Sequence, residues 1–419
     1  MPPPLQLSVI QNWSCHNCGG CCRQHEIDIT DEERRRIEAQ GWRAGADIPV
    51  SPIVTSGPPW KRRYRLAHQE DGACVFLDEK GLCKIHSKFG EPTKPLACRL
   101  YPFVFHPAGE SVAVSLRFSC PSVVANNGRD MESRTKELRG LEAEVVPENA
   151  AQIPPPYATA KVRLTWTETH HVIELLDTII EAEDVTFPLR LWRSLFVLDL
   201  LARTQFEKIR GERLVELLQL LADGAVDETP EDLQKIPEPS RTGRMHFRLL
   251  ASQYARRDTA ATLQRGWIYR YEMFKAALKF THGRGNIPRM QDLFAEEIPF
   301  AALETPFGLP EEATEIFQRY YQVKLQGMHF CGPAYYNVPL IEGFQSLALV
   351  YPVTLWLARW LAAGAQRSQI STEDISIALA MVDHHHGYSP AFGLGSFRAR
   401  VRMLAQLGDI SKLVAWYSR

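Results

Sequence analysis

Eight of the nine cysteines lie in the first 120 of 419 residues, and four are packed into the run Cys15-His16-Asn17-Cys18-Gly19-Gly20-Cys21-Cys22. Cys74, Cys83, Cys98 and Cys120 complete the group, and only Cys331 lies beyond it. Thiolates are soft, strong metal ligands. The same stretch is rich in Pro and Gly and shows few helical periods. A segment like this has a thin apolar core, which metal ligation can hold together.

The C-x2-C spacing lets two sulfurs turn toward one centre, as in zinc and iron–sulfur sites. Gly19 and Gly20 suit the tight turns that surround thiolates. Cys15, Cys18, Cys21, Cys22, Cys74, Cys83, Cys98 and Cys120 are the candidate metal ligands. Eight thiolates could serve two four-coordinate centres, either zinc or iron–sulfur, and the eight are expected to converge. Cys120-Pro121 matches the end of ferredoxin-like runs, but the directly adjacent Cys21 and Cys22 do not fit ferredoxin spacing. The radical-SAM spacing fails because position 25 is His. His16, His25, His86 and His106 sit among the cysteines and could replace or support a thiolate; His86 is the best placed. Arg99 could offset cluster charge or make an ordinary ion pair. Cys331 reads as a small buried hydrophobe.

The first ten residues lack a basic, apolar and small-residue succession, so no signal peptide is expected. A cytoplasmic location follows, where clustered cysteines mean metal or redox chemistry more often than disulfides. Net charge is -1, so no global field draws the chain to nucleic acid. The basic run Lys61–Arg65 reads as a solvated strand or loop. The stretch 346–365 is almost wholly apolar but contains Pro352 and Arg359. It is expected to be a buried, proline-broken helix, with no membrane span.

The expected fold is mainly α: a small irregular cysteine-rich metal-binding module at 1–122, a linker at 123–160 and a larger all-helical domain at 161–419. In the module, Thr30 and Glu33 form a capping box for one short helix. Strands are expected at Arg63–Ala67, Cys74–Leu77, Phe103–His106 and Val112–Phe118. Val172, Leu175, Leu176 and Ile179 mark one amphipathic helix; Leu214, Leu217, Leu218 and Leu221 mark another. Leu189–Ile209 should be buried, and Pro310 should open a helix. Ser371 and Asp374 cap a helix that ends at His384-His385-His386, with Gly387 as its left-handed stop. Those histidines are expected to lie away from the cysteines.

The order Cys15-x2-Cys18-x2-Cys21-Cys22, Cys74-Val-Phe-Leu, Gly81-Leu-Cys83, Cys98-Arg-Leu-Tyr-Pro-Phe and Cys120-Pro121 resembles the YkgJ-type CxxCxxCC family of zinc- or iron-chelating domains. The resemblance covers about residues 13–122 and implies metal binding, with zinc or an iron–sulfur cluster as cofactor and an accessory, structural or redox role. The double cysteine, the later cysteine elements and the long helical remainder are also similar to flagellin lysine N-methylases (FliB-like). That likeness implies an alternative activity, S-adenosylmethionine-dependent methylation of protein lysine. It would call for a pocket lined by acidic and aromatic side chains. No P-loop, Rossmann fingerprint, G-x-S-x-G or H-E-x-x-H occurs, so no catalytic residue is assigned. The helical domain is left as the surface for a protein partner or substrate.

Overall fold

The computed structural model describes residues 3–206, 208–256 and 266–419; Met1, Pro2, Glu207 and residues 257–265 lie outside the described residues. Short strands and single helical turns fill the first 130 residues, and helices dominate from Trp166 to Tyr417.

Ser111–Leu116 is the middle strand of a three-stranded sheet. It runs parallel to Leu5–Leu7 and antiparallel to Phe103–Ala108, with Phe103 opposite Leu116. All six of its residues are buried, as a strand covered on both faces should be. It packs on the Ala313–Gln326 helix, so the main core runs without interruption from Trp13 and Phe103 through Leu138 to Leu413. The expected segment 123–160 contains a helix, Thr135–Val145, which contributes Leu138 and Leu141 to that core.

A second antiparallel sheet joins Asp28–Ile29, Arg63–Leu66 and Ile53–Ser56. Ile29, Ile37, Ile48, Leu66, Val75, Phe76 and Ile85 make a small core of their own, with Cys22, Cys74, Cys83 and Cys98 at its edge. The Thr30–Glu33 capping box is present, and the helix runs Asp31–Ala39. Two expectations differ here. Cys74–Leu77 is a turn held by isolated bridges, His68 to Cys74 and Leu77 to Cys83, because Leu77 N–H closes back on Cys74 O at 2.9 Å. The single expected helix is joined by four short ones, Gly20–Gln24, Lys84–Phe89, Leu96–Leu100 and Pro121–Val124. Each is only four to six residues long, too short for periodicity to reveal.

In the helical part, Trp166–Glu181 buries Val172, Leu176 and Ile179, and Glu212–Asp227 buries Leu214 and Leu218. The apolar run from Leu189 forms the helix Phe187–Ala202, buried on most sides. Pro310 stays outside its helix, which starts at Ala313; Pro310 O instead accepts from Ala313 N–H at 3.1 Å.

One apolar run, Leu340–Gly364, is long and apolar enough to cross a membrane, and 83% of its most apolar window is buried within the structure. It breaks at Leu349 into Leu340–Ala348 and Val350–Gly364. Pro352 has no N–H for Ala348 O. The Tyr321 hydroxyl takes over: it donates toward Leu347 O at 2.9 Å and Ala348 O at 3.3 Å, and accepts from Tyr351 N–H at 3.1 Å. Arg359 is equally provided for, donating to Leu303, Thr305, Tyr417 and Arg419 carbonyls, each at 2.9 Å. A buried guanidinium that caps the ends of neighbouring segments costs far less than a bare one.

Candidate metal centre

The Cys15–Cys22 run curls through left-handed residues, Asn17 at φ 59° and Gly19 at φ 66°. Gly20 N–H then donates to the Cys18 sulfur at 3.4 Å. The Gly20–Gln24 helix carries Cys21 and Cys22, whose sulfurs stand 4.0 Å apart. Cys22 O accepts from Cys74 N–H at 2.7 Å and so brings in the second segment. Gly81 allows the hairpin before Cys83 to close over the run: a Cβ there would stand 2.6 Å from Asn17 O. Cys83 leads into the Lys84–Phe89 helix.

Cys98 is placed by a carboxylate that serves two helices. One oxygen of Glu33 accepts from Thr30 N–H at 2.8 Å in the capping box. The other accepts from Leu96 N–H at 2.6 Å, the first residue of the helix that carries Cys98. The expected capping box thus does more than start its own helix: it also orients a thiol.

Seven of the eight cysteines fall into two sets. Cys21, Cys22, Cys74, Cys83 and Cys98 lie within electrostatic reach of one another: Cys74 and Cys83 act on Cys22, and Cys21, Cys74 and Cys83 act on Cys98. Cys18 and Cys120 make a second set, and Cys15 Sγ donates to Asn17 Oδ1 at 3.7 Å. The charge of Cys18 acts on Cys120, and Cys120 sits in the main core with Trp13. Tyr101 feels both Cys120 and Cys21 and so stands between the groups. The structure thus draws Cys21, Cys22, Cys74, Cys83 and Cys98 near one another and Cys18 near Cys120 as a second set, and no four-sulfur site is closed among the described residues. Cys120 follows the large sheet into the main core, whereas Cys74, Cys83 and Cys98 belong to the small one.

Burial sets the thiol chemistry. It raises Cys74 to about 11 and pushes Cys98 up further. Cys21 is lowered to about 6, chiefly by the hydrogen bond from Cys22, which is correspondingly raised. The pair as a whole gives up its first proton readily and holds its second. All nine cysteines are free thiols. Soft sulfurs crowded at the edge of an apolar core suit zinc or iron, whose charge would offset the desolvation and mutual repulsion of the thiolates. Among the described residues, no three His, Cys, Asp or Glu side chains are gathered tightly enough to hold a metal ion as they stand. The donor types fit, and the sulfurs must draw inward to close a site.

Residues 14–122 match the CxxCxxCC family, described as "Putative zinc- or iron-chelating domain". That segment is similar to the CxxCxxCC family. No curated protein and no solved structure matches the chain, so the likeness to flagellin lysine N-methylases rests on the motif residues alone. Neither described cleft has the lining that activity would call for. One is rich in arginine, and the other contains Glu183, Glu311 and Glu315 without an aromatic ring.

The histidines among the cysteines take other partners. His86 is exposed. His16 Nδ1 meets the Ser122 hydroxyl. Arg99 pairs with Glu144, one guanidinium nitrogen donating at 2.8 Å, so it makes an ordinary ion pair. Cys331 is buried in the main core, as expected. The Ser371–Asp374 capping box is present, its helix runs Thr372–His385, and Gly387 has φ 83°.

The final histidines are not remote from the CxxCxxCC domain. His25, three residues past Cys22, packs its ring 4.9 Å from Tyr101 and 5.0 Å from His384. Behind this contact lies a buried polar junction that periodicity did not reveal. Lys324 Nζ stands 2.7 Å from Asp383 Oδ1, both essentially without exposure. Lys324 also donates to Leu116 O at 3.0 Å and to His329 Nδ1 at 3.2 Å. Asp383 Oδ2 accepts from Ser119 N–H at 2.9 Å, next to Cys120. Arg117 covers the Tyr388 ring at 3.5 Å. Burial keeps the imidazoles neutral, lowering His25 to about 2 and His106 and His386 to about 3. The available signal was Lys324 itself, a lysine amid Tyr320, Tyr321, Val323 and Leu325.

Proposed function

We propose that the CxxCxxCC domain binds zinc or iron through its thiolates, at two centres. Cys21, Cys22, Cys74, Cys83 and Cys98 supply the ligands of one, and Cys15, Cys18 and Cys120 contribute to the other. Iron held as an iron–sulfur cluster is narrowly preferred, because the C-x2-C-x2-C opening and the Cys120-Pro121 ending match cluster ligation. The observation that carries this reading is the packing of four free cysteines, Cys22, Cys74, Cys83 and Cys98, from four chain segments on one small core, with Cys21 beside Cys22. A cytoplasmic setting, in which thiols stay reduced, suits this reading. The role is accessory, structural or redox, with the helical domain as the surface for a protein partner.

Metal and sulfide analysis of anaerobically purified protein tests it. The wild-type chain should hold about two centres, since four thiolates fill one tetrahedral site. Cys98→Ser and Cys18→Ser should each lose about one centre, from different groups, while the far-ultraviolet signal of the helices persists. Full metal content in both variants would refute the ligand assignment.

A further inference from the structure

The helices Arg241–Ala255 and Gly266–His282 pack side by side. Where the first begins and the second ends they leave a cleft of about 590 Å³, lined by Arg241, Arg244, Arg248, Arg284, His282 and Thr281, among others. Four guanidinium groups in one concavity stand out in a chain whose net charge is -1. Like charges repel, and a cleft with low-dielectric walls concentrates their field on whatever enters it.

The cations are only partly answered from within. Arg244 meets Glu238 at 3.6 Å. Arg248 is fixed by carbonyls rather than a carboxylate, donating to Phe280 O at 2.9 Å and Thr281 O at 3.2 Å; Glu304 acts on it from a distance. Gly283, at φ 61°, makes that arrangement possible, since a Cβ there would stand 2.4 Å from the Arg248 guanidinium carbon. Arg241 and Arg284 are exposed, and no ion pair or side-chain hydrogen bond engages them among the described residues. The result is a floor with a firmly held guanidinium and a rim with two exposed ones.

We propose that this cleft binds a phosphate-bearing ligand carrying at least two negative charges. Guanidinium forks match phosphate oxygens in pairs, and a threonine hydroxyl adds a neutral donor. The volume lies in the range of small-molecule sites and exceeds what a bare ion needs. The site uses no cysteine and lies outside residues 14–122, so it stands or falls independently of metal binding.

The phosphate can arrive on a soluble molecule or on a lipid headgroup. On one helix face, the exposed Trp267, Tyr271, Phe274 and Leu278 lead toward Thr281 and His282. Calorimetric titration with inorganic pyrophosphate at low salt tests the first source, and co-sedimentation with phosphatidylglycerol–phosphatidylcholine vesicles tests the second. The comparison variant is Arg241→Gln/Arg284→Gln; both positions are exposed, so its fold should be retained, as checked by circular dichroism. Pyrophosphate binding that weakens with salt and falls about tenfold or more in the variant supports a soluble phosphorylated ligand. Vesicle binding alone, lost in the same variant, supports the same chemistry on a lipid. Absence of both, or binding unchanged by the substitutions, overturns the proposal.

Discussion

Replacing Lys324 by Met should be among the most damaging single changes outside the cysteines. Lys324 and Asp383 are both fully buried and 2.7 Å apart. Removing the ammonium leaves a carboxylate in the core with, among the described residues, only Ser119 N–H donating to it. Breaking a buried pair from one side costs about 3–5 kcal/mol. The loss has a ceiling, because the stranded carboxyl can take a proton instead. Protonating an ordinary aspartate at pH 7 costs about 4 kcal/mol, from a reference pKa near 3.9. The two routes agree on about 4 kcal/mol. An exposed pair sets the contrast: Lys235 and Glu231 are both largely in water, so Lys235→Met should cost less than about 1 kcal/mol. Urea unfolding followed by tryptophan fluorescence measures both. The decisive comparison is the double variant Lys324→Met/Asp383→Asn. The amide oxygen that replaces the carboxylate still accepts from Ser119 N–H but carries no charge, so the second substitution should restore stability that the first removed. If Asp383→Asn destabilises the Lys324→Met protein further, the buried-charge reasoning is wrong.

Two further outcomes follow from the same interior. Tyr321→Phe strips the hydroxyl that serves Ala348 O and Tyr351 N–H beside Pro352, and should cost about 1–3 kcal/mol by urea unfolding; an unchanged midpoint would mean the helix break satisfies itself. His106 and His386 are held neutral down to about 3, whereas an unfolded imidazole takes its proton near pH 6.5. The unfolded state therefore binds more protons below about 6.5, and stability should fall with pH by about 1.4 kcal/mol per unit for each histidine. Urea midpoints at pH 7 and pH 5.5 should differ by about 2–3 kcal/mol on that account, and a flat profile would contradict neutral burial.

Much of the helical half could be read from spacing, because its helices bury one face each. Val172, Leu176 and Ile179 point inward, as do Ile375, Ala378, Leu379 and Val382. The Thr30–Glu33 and Ser371–Asp374 boxes were equally legible, since capping is a local exchange of hydrogen bonds. What stayed hidden depends on contacts distant in the chain. No local pattern says that the free oxygen of Glu33 will reach Leu96, or that Lys324 on one helix will meet Asp383 on another. The division of the cysteines into two groups is of the same kind. It follows from which core each segment joins, and Cys120 joins the larger one only because the strand before it lies between two covered faces.

That division has a consequence for how the CxxCxxCC domain can influence the helices. The five-thiol group rests on a small core separate from the main one. Closing its sulfurs on a metal would reach the helices through His25, just past Cys22, whose ring packs on His384. Cys120 is different. Its neighbour Ser119 donates to Asp383, and Leu116 accepts from Lys324. Every one of these contacts ends on one of two helices, Ala313–Gln326 or Thr372–His385. Both are packed into one contiguous core, so a shift at Cys120 must either break a buried charge pair or carry those helices with it. The first alternative costs several kcal/mol, and the second needs only small movements of packed elements. Cys120 is therefore joined to the helices through a buried charge pair that its neighbours complete.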